Sequence, residues 1–278
     1  MITGIGGLTG SQSQQNIQKT NSRLQAAIAQ LVSGSRINRA ADDVAALSIA
    51  TKLQSEVSSL KQASGNIAQA SSLAQVADGG IAEIRRAVDE IRSIAQQAAA
   101  PTTSPESREA LNRQVQGLAA EIDRIAGSTS FNGKKLLDGS LSGASSLSLT
   151  NLLGAGDAAD SESFSLDSLT ARSLLGEAGI DVSTAQSAGA SLEVLDAAAQ
   201  RVDRARAQTG SFLQTLNYAA ANIDSAVANQ EAARSILQDA DFAGAATEGS
   251  LASLLRNAQI AVQAQGNRLQ PNVLKLIG

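Results

Sequence analysis

Between residues 185 and 237 the chain carries a seven-residue repeat. Leu195, Val202, Thr209, Leu216 and Ile223 stand seven apart, and so do Ala198, Ala205, Phe212, Ala219 and Ala226. Together the two rows make one apolar seam over more than four heptads, the pattern of a long bundle helix. What fills such a seam is restricted here, because the 278 residues include four Phe, one Tyr and no Trp. Ala, Leu, Ile and Val must supply the volume that aromatic rings usually give a core. That composition suits long helices packed closely through small residues, and not a sandwich or a barrel.

Helical stepping recurs upstream. Ile17, Asn21, Leu24, Ile28 and Leu31 alternate steps of four and three, and the turn formers of Ser33-Gly34-Ser35-Arg36-Ile37-Asn38 break the run. Asp42 or Asp43 then stands ready to cap the next helix and complement its dipole. Leu53, Val57, Leu60, Ser64, Ile67, Ser71 and Ala74 resume the period. Ala77, Ile81, Ile84, Val88, Ile91, Ala95 and Ala98 continue it, with one irregular step near Gly79-Gly80, where a bend or interruption is expected. As one helix, residues 44–98 would span roughly 80 Å at about 1.5 Å per residue, which describes a rod. Ser104 then reads as an N-cap, Pro105 as the first helical residue and Glu106 as first-turn acid. Leu111, Val115, Leu118, Ile122 and Ile125 form the new stripe, and Gly127 is the expected stop. The loop is short, so the two helices are antiparallel neighbours.

From 128 to about 182 the helical period gives way to Ser, Gly and Asp. Asn132-Gly133 signals a tight turn, and Leu147–Leu149 and Phe164–Leu166 alternate weakly as short strands. Ser183-Thr-Ala-Gln186 reads as a capping box before the seam helix. After Gln238-Asp-Ala-Asp241, a last segment steps through Leu251, Leu255, Ala258, Val262, Gln265 and Leu269 until Pro271 intervenes. The expected fold is therefore mainly α. It is a long antiparallel helical coiled-coil bundle with a small irregular or β-hairpin region in the middle of the chain. The order is symmetric, so the two amphipathic ends are expected to pair beside each other. Each end has one thin stripe, and burial against neighbouring subunits would supply the contact surface that a lone subunit lacks.

Composition also removes functions. Without Cys or His there is no disulfide, no thiolate, no Cys-ligated metal and no imidazole base. The net charge of 22 − 26 = −4 is a poor match to nucleic acid or an anionic membrane. No apolar run reaches the length of a membrane span, and the N-terminus lacks the features of a secretory signal. Asp42-Asp43 and Asp239/Asp241 sit at helix starts, where capping is their natural role. Gly4-Ile-Gly6-Gly7 lacks the strand–loop–helix setting of a phosphate cradle. No catalytic, cofactor-binding or metal-binding residues are expected, no cofactor, and no enzyme. Arg85, Arg86, Asp89 and Glu90 read as a solvated face. The remaining classes are a self-assembling structural subunit and a coiled-coil signalling protein that does not polymerise.

Particular words then carry more than composition. Leu31-Val-Ser-Gly-Ser-Arg-Ile-Asn-Arg-Ala-Ala-Asp-Asp43 resembles the N-terminal signature of bacterial flagellins, and Gln62-Ala-Ser-Gly-Asn-Ile-Ala68 does so downstream. Glu121–Leu136, containing Ser-Phe-Asn-Gly-Lys-Lys, is similar to that family's passage from helix to hairpin. Ala233-Arg-Ser-Ile-Leu-Gln-Asp-Ala-Asp-Phe-Ala243 resembles its C-terminal hallmark, and Asn272–Ile277 its ending.

The resemblance implies a short flagellin, exported and polymerised into an extracellular flagellar filament. Residues 1–43 and 238–278 would be the inner-tube helices, with Ile17, Leu24, Ile28, Leu31, Leu251, Leu255, Ala258, Val262 and Leu269 as polymerisation contacts. Arg36, Asn38, Asp42 and Asp43 would form the spoke between them and the rod. Residues 44–127 and 185–237 would be the rod domain. Its core would hold Leu53, Val57, Leu60, Ile67, Leu111, Val115, Leu118, Val202, Phe212, Leu216 and Ile223. Residues 128–184 would be a short outer region. Implied partners are the chain itself as a helical homopolymer, the flagellar type III export machinery and a flagellin chaperone. Filament cap and hook–filament junction proteins and other flagellins complete the set, and nucleic acid is not in it. A hook–filament junction protein is the alternative within the class. Flagellins that an animal Toll-like receptor detects carry a word similar to Gln-Arg-Val-Arg-Glu-Leu-Ala. Its counterpart here is Asp89-Glu-Ile-Arg-Ser-Ile-Ala95. Arg92 and Ile94 fit that receptor surface, whereas Glu90 replaces an arginine and Gln114 a glutamate.

Overall fold

The computed structural model describes the backbone of residues 3–142, 147–148 and 163–277, and the side chains of 11–142 and 163–266. Long helices dominate: α1 (Thr3–Ser33), α2 (Val44–Ala99), α3 (Pro105–Ser128), α5 (Ala185–Gln238) and α6 (Phe242–Ile277). Between α3 and α5 lie β1 (Ser130–Phe131), β2 (Lys134–Lys135), β3 (Leu147–Ser148), β4 (Ser163–Phe164) and the short helix α4 (Ala171–Leu175). The chain forms two units, Met1–Val57 with Ala228–Gly278, and Ser58–Val227. The fold is the mainly α, antiparallel helical bundle that the periodicity predicts. Pro271 does not end the last helix, which continues to Ile277.

In the unit Ser58–Val227 the stripes become one core. Ile81, Ile84, Val88 and Ile91 of α2, Val115 and Ile122 of α3, and Leu195, Val202 and Leu216 of α5 are fully buried in it. Helices α2 and α5 run antiparallel, since partner numbers fall as α2 numbers rise. Asp78 pairs with Arg206 at 3.3 Å, Arg85 with Asp203 at 2.9 Å and Arg92 with Asp196 at 2.8 Å. Arg85 is thus not a solvated residue. It is half-buried and bridges Asp203 and its own helix's Asp89.

Gly79-Gly80 does not interrupt α2, which runs through both residues. The reason for a glycine at 80 is proximity, not bending. A β-carbon there would lie 2.7 Å from both Leu137 Cδ1 and Thr129 Oγ1. Helix α3 starts as expected, with Ser104 Oγ accepting from Ser107 N at 3.2 Å and Pro105 following the cap. Its stop is not Gly127. Thr129 closes it, donating both its N–H (2.9 Å) and its hydroxyl (2.8 Å) to Ile125 O. A β-branched cap in extended backbone therefore does what a left-handed glycine was expected to do.

Strands β1 and β2 pair with Ser130 opposite Lys135, and Asn132 (φ 49°) with Gly133 (φ 78°) makes the turn. Positive φ at both central residues fits a type I′ hairpin. The central region is less loose than its composition suggested. Leu136, Leu137, Leu166, Leu169 and Val182 are buried in the same core, and Phe164 of β4 stacks on Phe212 of α5 with centroids 4.4 Å apart. Polar ties fix it to α3: Asp123 accepts from Ala171 N at 2.8 Å and Asn112 from Val182 N at 3.1 Å. The capping box of α5 lies one residue later than expected. Thr184 Oγ1 accepts from Ser187 N at 3.0 Å, and Ser187 Oγ accepts from Thr184 N at 3.1 Å. Ser183 is drawn instead to Asp181.

Candidate assembly surface

The unit Met1–Val57 with Ala228–Gly278 joins the two ends of the chain. Helices α1 and α6 pack against each other along one face of each, antiparallel, with Ala27 opposite Gly249. Small residues make this face. Thr20 and Ala27 are buried on α1, and Ala245, Gly249 and Ala252 on α6. Ile17, Leu24 and Leu31 are half-buried beside them, while Ile28 is exposed.

The large apolar residues of α6 point elsewhere. Leu251, Leu255 and Val262 are 42–68% exposed, and Ala258 is exposed with them. Residues 251, 255, 258 and 262 share one face, set about 120° round the helix from the face of 245, 249 and 252. Helix α6 thus has two apolar faces, a small one for α1 and a larger one left open in the subunit. The side chain of Leu269 lies outside the described residues. Sequence reading found the large stripe and missed the small one, although Ala245, Gly249 and Ala252 keep the same four-three spacing.

Between the ends, a two-stranded joint holds the chain. Ser35 and Asp239 form an antiparallel bridge, Arg36 N donates to Gln238 O at 2.7 Å and Ala240 N to Gly34 O at 2.9 Å. Arg36 Nη2 also donates to Leu237 O at 2.7 Å, and Asn38 Nδ2 to Ser35 O at 3.2 Å. Gly34 permits the exit from α1, with φ at 71° and its N–H on Gln30 O. Asp43 caps α2, accepting from Ala46 N at 2.9 Å. Asp42 instead closes the preceding turn, accepting from Asn38 N at 3.1 Å and Arg39 N at 2.9 Å. Asp241 Oδ1 caps α6 through Ala243 N (3.0 Å) and Gly244 N (3.1 Å). These carboxylates are engaged with backbone N–H groups, which is capping chemistry. A polar cleft of about 480 Å³ lies beside the joint, lined by Ser22, Gln25, Arg36, Asn38, Arg39 and Asp42. Among the described residues no cluster of three or more carboxylates is placed to hold a metal ion. No described helix is long and apolar enough to cross a membrane.

Farther along, Val57 is buried and Leu53 half-buried on α2. In the other unit Ile67, Val115, Val202, Phe212, Leu216 and Ile223 are buried, and Leu60, Leu111 and Leu118 pack half-buried against them. Of the four receptor-like positions, Glu90 and Gln114 are exposed. Arg92 is bound to Asp196, and Ile94 is half-buried against the core.

Residues 8–142 match the family model for the bacterial flagellin N-terminal helical region, and residues 192–277 that for the C-terminal helical region. The chain is 32% identical over 276 residues to a flagellin of Treponema pallidum, covering 95% of this chain and 96% of that one. It is 31% identical over 253 residues to a flagellin of Halalkalibacterium halodurans, covering 91% of each. Its fold is similar to that of a flagellar hook-associated protein from Vibrio parahaemolyticus, with a TM-score of 0.55 over 70% of this chain and 99% of that one, at 15% identity.

Proposed function

The chain belongs to the bacterial flagellin family and is a structural subunit of the flagellar filament, and from that premise we propose how its surfaces assemble. The α1–α6 pair, residues 1–43 with 238–278, packs into the inner tube. The large face of α6 is the contact that neighbouring copies bury. Residues 44–127 and 185–237 form the surrounding rod and 128–184 its short outer part. The subunit leaves the cell through the flagellar type III export machinery, escorted by a flagellin chaperone. It adds beneath the filament cap, onto hook–filament junction proteins at the base and beside other flagellins. It performs no catalysis.

One observation carries this reading: Leu251, Leu255 and Val262 stay exposed although α6 already has a partner helix. A row of large apolar side chains left open beside a satisfied interface marks a surface meant for another chain. The hook–filament alternative has only a likeness of fold in its favour, at 15% identity. Seeded polymerisation tests the proposal. Leu255→Asp should leave helix content and the Ser58–Val227 core intact and abolish growth on filament seeds, because burying an unpaired carboxylate costs several kcal/mol. Wild-type growth by this variant would place the assembly contact elsewhere.

A further inference from the structure

Phe242 is 56% exposed, in a chain with four Phe in all. Two of the others are stacked in the core, which makes an open ring here conspicuous. Its setting is fixed. It opens α6 immediately after the Asp241 cap, and its ring edge lies 4.0 Å from where a β-carbon on Gly34 would stand. Val32 and Ile236, at 83% and 82%, are more exposed still. Each of these three residues stands three positions from a member of the Ser35–Asp239 bridge. The joint thus carries three large apolar side chains on a backbone already held by the bridge and its flanking hydrogen bonds. Little conformational freedom remains to be lost when a partner covers them.

Position matters as much as exposure. Phe242 precedes Leu251 by nine residues, which at about 100° per residue places it roughly 180° round α6 from the large stripe. A copy seated on the stripe leaves Phe242 open. Two unlike surfaces on opposite sides of one element are what a head-to-tail polymer requires, since an open helical assembly uses different patches on its two faces.

We propose that Phe242, seated against Gly34 beside the Ser35–Asp239 bridge, is an anchor that a second copy of this chain buries in the filament, distinct from the Leu251–Val262 contact. The proposal rests on the assembly reading above. Buried aromatic anchors dominate interface energies, so removal of the ring should be felt well beyond its share of area.

Hydroxyl-radical footprinting of full-length wild-type protein tests it directly, comparing monomer with sedimented filament. Phe242 should be labelled in the monomer and protected several-fold in the filament; equal labelling overturns the proposal. In parallel, Phe242→Ala should raise the critical concentration for seeded growth about tenfold, and Phe242→Leu should restore most of it. Amide exchange at Arg36 and Ala240 should match wild type in monomeric Phe242→Ala. Faster exchange there would mean that the ring acts by holding the joint, which also overturns the contact. Protected Phe242 with a growth-defective Ala variant and an intact joint supports it. Failure of wild type to extend its own seeds would overturn the assembly reading and this proposal with it.

Discussion

Ala27 of α1 and Gly249 of α6 face each other so closely that a β-carbon added at 249 would stand 3.6 Å from that of Ala27. That is ordinary van der Waals contact, not a clash. Glycine inside a helix costs roughly 0.5–1 kcal/mol relative to alanine. Gly249→Ala should therefore strengthen the terminal pair, slowing amide exchange over residues 20–31 and 245–256 of the monomer. Gly249→Leu carries more bulk than the space admits and should loosen the same segments. Faster exchange in the alanine variant would show that the helices do not meet at this point.

Gly80 gives the opposite sign from the same chemistry. The β-carbon of alanine would fall 2.7 Å from Leu137 Cδ1 and Thr129 Oγ1; Leu137 is fully buried, and the Thr129 hydroxyl is held in place by its hydrogen bond to Ile125 O. Overpacking of this kind costs about 1–3 kcal/mol, more than the helix gains from alanine. Gly80→Ala should lower the urea midpoint of the monomer, whereas Gly79→Ala, with nothing within 4 Å, should not. Equal midpoints for the two variants would remove the close-approach explanation.

Long elements were legible because their signal accumulates. Fourteen positions from Leu53 to Ala98 kept the four-three stepping with a single irregular step, so α2 could be read from its stripe even across two glycines. Features set by a neighbour distant in sequence were not legible. Gly80 looked like a helix breaker because nothing local reveals Leu137 above it. Arg85 looked solvated because Asp203, 118 residues away, completes its environment. The same holds for the assembly surface. Leu251, Leu255 and Val262 stand out by size, whereas the Ala245–Gly249–Ala252 face is weakly hydrophobic and shows itself only against α1.

Asp181 offers a test by pH. The Ser183 N–H and hydroxyl hold its carboxyl below the usual range, against an opposing effect of burial. A depressed folded-state value means the stabilisation is present above the unfolded carboxylate range, near 3.9, and is lost as pH falls through the folded value. Asp181→Asn should therefore be less stable than wild type near neutral pH, and the gap should narrow as the pH falls below the ordinary carboxylate range. Urea midpoints across that window measure it. A gap that persists undiminished in acid would mean that the side chain's charge has no part in closing this turn.

Recognition by the animal Toll-like receptor that detects flagellins is the last expectation. Glu90 is exposed on α2 where detected flagellins carry an arginine, and a carboxylate cannot replace the guanidinium's fixed fork of donors. The charge reversal also turns attraction into repulsion wherever the receptor presents a carboxylate, and like charges at an interface cost up to several kcal/mol. Arg92 does not compensate. Its Nη2 is bound to Asp196 at 2.8 Å, so Asp196 competes with a receptor for that guanidinium. Ile94 is partly withdrawn into the core, and Gln114 supplies no charge. The chain should therefore be a weak agonist. Glu90→Arg with Gln114→Glu should partly restore signalling, and adding Asp196→Asn, which frees Arg92, should raise it further. Dose–response curves of monomeric proteins on receptor-bearing reporter cells decide the matter. Wild-type potency equal to that of a strongly detected flagellin would refute the expectation, as would a double variant no better than wild type.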